Sequence, residues 1–150
     1  MRSPHPLEIF FDHIDMFLHV TTYDAAVSFI DGFNYANHGA TLTGLREWLI
    51  PQVNKYSNMS WSVLVLHLAF PGTLVPRDKI TSEEIEEKLV KFLFDLFRRF
   101  FEESTGNWGF RLIYLKYDAW LRRQSWYGPG SPDWIPLPIK RERKKTKGLG

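Results

Sequence analysis

The chain has 150 residues with 19 Lys and Arg against 17 Asp and Glu, enough for one domain burying roughly 68–70% of its unfolded surface. It has no cysteine, which excludes disulfides, thiolate metal sites and a cysteine nucleophile. The net charge of +2 hides a division: Lys140 to Gly150 holds six Lys or Arg and one Glu, leaving residues 1–139 at −3.

Residues 1–6 contain Pro4 and Pro6 and form an irregular lead-in. They lack the basic-then-apolar layout of a signal peptide, and no apolar run in the chain approaches the ~20 residues of a membrane span. The composition predicts a soluble, cytoplasmic protein with no membrane partner. From Leu7 to Val20, Phe10, Ile14 and Phe17, with Met16 and Leu18 beside them, predict a helix. Glu8, Asp12, Asp15 and His19 fall at steps of four, three and four on its polar side. That row is either a solvated face, an acidic surface for a basic partner, or carboxylates and imidazole gathered on a metal. Adjacent Asp12 and His13 point in different directions on a helix, which weighs against a metal.

Tyr23 to His38 predicts a second helix, with Asp24 near its start and Ala26, Phe29, Ile30, Phe33 and Ala36 facing inward. Gly32 inside it costs about 1 kcal/mol relative to alanine, so close packing or a local break is expected there. His38 near the helix end is a capping or surface residue. A third helix runs from Thr41 to Tyr56 with Leu42, Leu45, Trp48, Leu49 and Val53 inward, and Pro51 marks a kink or a boundary near Ile50. Met59 to Phe70 is nearly all apolar, and periodicity alone does not separate a buried helix from a buried strand. Its helical neighbours and an Asn58 or Ser60 cap favour a central helix, with His67 a hydrogen-bonded core residue.

Pro71 to Lys79 reads as a loop. Thr81 to Glu103 is the clearest helix: Thr81 and Glu84 have capping-box spacing, and Glu83, Glu84, Glu86 and Glu87 crowd the positive end of the dipole. Ile85, Leu89, Phe92, Leu93, Leu96, Phe97, Phe100 and Phe101 trace one wide apolar stripe, with Lys88, Lys91, Asp95, Arg98, Arg99 and Glu102 opposite. Gly106 supplies the stop, and the helix is roughly 34 Å long, enough to cross a small domain. After an Asn107 cap, Trp108, Leu112, Leu115, Ala119 and Arg122 form the stripe of a last helix, with Ile113, Tyr117 and Trp120 beside it. Phe110 to Leu115 is open to a strand reading. Tyr127 to Pro138, with four prolines and two glycines, is irregular, and Trp126, Tyr127, Trp134 and Ile135 are expected to pack back as an extended arm.

The expected architecture is therefore a mostly α, single-domain bundle of five or six helices over 1–139, with an arm at 127–139. A disordered basic tail follows at 140–150. Such a tail is a solvated end or a non-specific, salt-sensitive contact for nucleic acid. No GxGxxG, P-loop, HExxH, GxSxG or Cys/His metal spacing is present, and no two histidines stand at i, i+4. No cofactor, metal or catalytic residue is assigned.

The run Ser28-Phe29-Ile30-Asp31-Gly32-Phe33 followed by Leu42-Thr43-Gly44-Leu45-Arg46-Glu47-Trp48-Leu49 resembles a pattern in small bacterial helical proteins. Some of these resemble immunity proteins of polymorphic or contact-dependent toxin systems. Asn58 to Pro71, and Leu112 to Leu121 with Tyr117 and Trp120, fit the same scheme, so the likeness spans residues 25–121. Phe33 stands where that pattern more often has Tyr. The resemblance implies a helical, non-catalytic protein that binds a cognate toxin. Many toxins are basic nucleases, and Glu8, Asp12, Asp15, Asp24, Asp31 and Glu47 are the candidate partner-binding residues. The alternative is a small enzyme or small-molecule binder using carboxylate and histidine groups in an inter-helix pocket.

Overall fold

The computed structural model describes residues 2–55, 58–131 and 134–136. Within them all regular structure is helical, with seven α-helices, one short 3₁₀ turn and no strand. The helices are α1 Pro6–Asp12, α2 Ile14–Phe17, α3 Tyr23–Ala36, α4 Leu45–Val53, α5 Trp61–Ala69, α6 Glu83–Thr105 and α7 Gly109–Arg122. Six helical regions were expected, and the seventh helix arises because the first region is broken in two. His13 leaves helical geometry at φ −130°, so α2 restarts in a new direction and Val20 lies outside any helix. The strand readings at Met59–Phe70 and Phe110–Leu115 are excluded.

The 23-residue α6 is the spine. Leu89, Leu93, Leu96, Phe97, Phe100 and Phe101 are buried as expected, and Val90 and Phe94 join them. Phe92 lies at the rim, and Ile85 is only half-buried. The cap is Ser82, whose hydroxyl accepts the Ile85 N–H at 3.2 Å, so the Thr81–Glu84 box does not form. Helix α3 packs on α6, α4 on α5 and α7, and α7 returns onto α6. Aromatic rings join the layers: Phe11 stacks on Phe94 at 4.2 Å, Phe10 stacks on Phe29 at 3.8 Å, and Trp61 meets Phe97 edge-on at 5.5 Å.

Three tryptophans bury their rings and each finds a distant acceptor for its indole N–H. Trp48 donates to Glu103, Trp61 to Asp31 at 2.8 Å, and Trp120 to Asn54 at 2.8 Å. No buried side-chain polar atom among the described residues lacks a partner.

Several local expectations need correction. Helix α4 begins at Leu45, and it continues through Pro51 to end at Asn54 in the left-handed region. Gly44 precedes it at φ +80°, and a Cβ there would sit 2.9 Å from the Phe110 ring, so glycine lets α7 close on α4. Gly109 similarly carries φ +44° against the Ser104 carbonyl, where a Cβ would be 2.6 Å away. Thr22 caps α3 by accepting the Ala25 N–H, and Asp24 lies in its first turn as expected. Gly32 neither packs closely nor breaks α3: a Cβ there would touch nothing. Trp108 rather than Asn107 occupies the cap position of α7, without a side-chain bond. His67 is half-buried at the edge of α5, and no hydrogen bond to it occurs among the described residues.

The largest correction concerns α7. Its inward residues are Ile113, Trp120 and Leu121, while Trp108, Leu112, Leu115 and Ala119 face solvent. The sequence carries two apolar stripes on this helix, and the fold buries the other one. The arm does return to the body, since Arg122 donates to the Ile135 carbonyl at 3.0 Å and the Ile135 N–H donates to the Tyr127 hydroxyl at 3.0 Å. Tyr127 packs against the core, but Trp126, Trp134 and Ile135 stay exposed. The arm's end at 137–139 and the expected disordered tail at 140–150 lie outside the described residues.

Candidate docking surfaces

The six candidate acids do not form one surface. Glu8 is nearly buried, at 9% exposure. Its carboxylate receives both ends of the Arg2 guanidinium at 2.8 Å and the His5 N–H at 2.6 Å, while the His5 ring accepts the Leu7 N–H at 3.1 Å. That closes the N-terminus of α1. The hydrogen bonds from Arg2 hold the Glu8 carboxyl below the usual carboxylate range. His5 lies stacked on Phe101 at 4.0 Å, and this burial lowers its affinity for a proton. Glu8 is thus a fastening of the fold.

Asp12 bonds Arg98 of α6 at 2.9 Å, and Arg98 also reaches Asp95 and lies over the Phe11 ring. Asp15 is exposed in the first turn of α2, with no ion pair among the described residues. Asp24 and Asp31 both belong to α3 but are tied to different elements, Asp24 to Arg77 at 2.9 Å and Asp31 to Trp61. Glu47 lies on another side, in a cleft of about 260 Å³ between α4, α6 and α7. Trp48, Arg99, Glu103 and Lys116 share that cleft, where Arg99 covers the Trp48 ring at 5.5 Å and Trp48 holds Glu103. Its four charged groups are balanced two against two, and it contains no histidine. No cluster of three or more His, Asp or Glu side chains able to hold a metal occurs among the described residues.

What the structure does bring together is Asp12 and Asp15 with uncovered apolar side chains. Ile9, Met16, Phe17 and Val20 are all exposed on α1, α2 and the turn that follows, and Met16 is 79% accessible. The His13 break causes this: it swings Met16 outward, while Phe17 keeps ring contacts with Phe10 and Phe29. These exposed apolar side chains lie near Asp12 and Asp15 along the chain, with Asp12 shared by Arg98 and Asp15 without an ion pair among the described residues.

The second uncovered apolar surface is the outer face of α7. Arg111, Arg122 and Arg123 lie beside the Leu112–Leu115 stripe, while Lys116 falls between the two stripes and lines the cleft with Ile113. No protein-family model, no curated protein and no solved structure matches this chain.

Proposed function

We propose that this protein is a non-catalytic binding module that acts in the cytoplasm and recognises another protein, in the specific form of an inhibitor that neutralises a cognate basic toxin. The observation that carries the reading is the α1–α2 patch, where Ile9, Met16, Phe17 and Val20 are exposed next to Asp12 and Asp15. A basic protein surface complements it on two counts. The apolar side chains supply contact area, and the carboxylates steer encounter with a partner of opposite sign. Of the six candidate acids, Asp15 and Asp12 are the partner-binding pair in this reading, while Asp24 pairs with Arg77. Glu8 is buried in the fastening of the N-terminal segment, Asp31 holds the Trp61 indole and Glu47 lies in the α4–α6–α7 cleft, so these three stand outside the patch in this reading.

The test is co-expression with the protein encoded next to this one, followed by co-purification and a protection assay. The expected result is a complex that Met16→Asp disrupts. Asp12→Lys with Asp15→Lys should slow association and weaken its salt dependence while leaving helical content intact. Absence of a complex, with turnover of a small substrate lost on His38→Ala or Asp31→Asn, would replace this reading with the enzyme. The latter has one observation in its favour: Asp31 and His38 line the same shallow depression at the end of α3.

A further inference from the structure

The cleft between α4, α6 and α7 holds charges of both signs that do not close on one another. Arg99 and Glu103 stand one turn apart on α6, a spacing at which opposite charges can meet along a helix. Here both are held by Trp48 instead. The Arg99 guanidinium lies over the indole ring at 5.5 Å, and the Glu103 carboxylate accepts the indole N–H. Lys116 enters the same cleft from α7 and Glu47 from α4. None of the ion pairs among the described residues involves Arg99, Glu103, Lys116 or Glu47.

The floor of the cleft is apolar: Trp48 and Ile113 are buried, and Pro51 lines the same space. Its volume of about 260 Å³ is just below the roughly 300–1,000 Å³ that encloses a drug-sized molecule, so it takes a smaller one. A guanidinium with uncommitted donors binds a carboxylate through two parallel hydrogen bonds, and an ammonium in the same cleft adds attraction of the same sign. Glu47 calls for the opposite charge. A simple anion would meet two acids here and a simple cation two bases, so a ligand carrying both signs is favoured over either.

We propose that this cleft binds a free α-amino acid with an apolar side chain. Its carboxylate is received by Arg99 and Lys116, its ammonium by Glu47, and its side chain by Trp48, Pro51 and Ile113. Glu103 is a positioning residue, since it fixes the indole on which Arg99 rests. Each of the three helices contributes one charged contact, so the ligand ties α4, α6 and α7 together. A nucleotide or sugar phosphate fits less well, because its several negative charges would face Glu47 and Glu103. The cleft shares no residue with the α1–α2 surface, so this site does not rest on the partner proposed there.

The full chain is titrated calorimetrically at neutral pH with L-leucine, L-methionine and L-phenylalanine, and its thermal midpoint is followed with each. One-to-one binding of at least one of them is expected, with a midpoint that rises with ligand concentration. The same molecule without its ammonium, or without its carboxylate, should bind about tenfold more weakly or worse, the loss of one hydrogen bond to a charged group. Glu47→Gln should abolish the preference over the ammonium-free form alone, and Arg99→Gln should reduce the preference over the carboxylate-free form alone. A merely structural role would not produce that crossed pattern, and far-UV circular dichroism checks the fold of both variants. Neither binding heat nor a midpoint shift with any of the three at millimolar concentration would overturn the proposal. So would an ammonium-free form that binds as tightly as its amino acid, or wild-type preferences in either variant.

Discussion

Truncating Ile113 and Leu115 separately measures which face of α7 is inside. Both substitutions to alanine delete three carbons from the same helix two positions apart, so propensity changes nearly cancel. Ile113 is 4% exposed, and its three carbons are worth roughly 2.4 kcal/mol in transfer at about 0.8 kcal/mol each, with a cavity contribution in addition. Leu115 is 54% exposed, so about half of that transfer value applies and no closed cavity is left, giving roughly 1 kcal/mol. Ile113→Ala should therefore cost about 2–4 kcal/mol and Leu115→Ala about 1 kcal/mol or less. Urea titration followed by far-UV circular dichroism separates them, since both variants should share one m-value and differ in midpoint. Equal midpoints, or a larger loss at Leu115, would show that the stripe of Leu112 and Leu115 faces the core.

On α6, Leu93→Ala should destabilise by roughly 2–5 kcal/mol, while Lys91→Ala, on the exposed side, should change the urea midpoint little. The Arg2–Glu8 pair should give an acid-dependent contribution: the folded-state carboxyl titrates below the unfolded one, so its stabilisation is complete above the usual carboxylate range and fades as pH falls through the folded value. The difference in thermal midpoint between wild type and Glu8→Gln should accordingly shrink with acidification, and a constant difference would contradict the assignment. His5, whose proton affinity is lowered by burial against Phe101, adds a second loss of stability as pH drops below about 6.5, because the unfolded chain takes up that proton first. Substituting His5 by Gln should flatten that limb of the midpoint profile. Truncation after Ile139 should leave folding and urea midpoint unchanged, whereas an insoluble product would show that the basic segment is part of the fold.

The helices were legible where one periodicity dominates. On α6 the uninterrupted stripe from Leu89 to Phe101 left a single way to bury it, and the structure follows. On α7 two stripes compete, and local pattern alone does not choose between them. Gly44 decides by admitting Phe110, and with it Ile113, against α4 and α6. The break at His13 was also hidden, because residues 7–20 keep a helical period across it, and only packing of Phe10 and Phe11 onto Phe29 and Phe94 turns the chain. The candidate acids were read as surface because carboxylates usually are. What the sequence could not convey is that Glu8 would find Arg2 and Asp31 would find Trp61, since the second pairing joins residues 30 positions apart.

The three indole bonds have a consequence for how uniquely the bundle is wound. A stripe of leucines and phenylalanines is satisfied by many small rotations of a helix about its axis, since apolar contact has no direction. An N–H aimed at one oxygen is satisfied by one rotation. Trp48, Trp61 and Trp120 set this orientation for α4, α5 and α7 through partners 55, 30 and 66 residues away. Phenylalanine in their places would preserve most of the buried ring area yet release the angular constraint. The helices would remain, but near-UV circular dichroism and amide dispersion would collapse toward those of a loosely ordered globule.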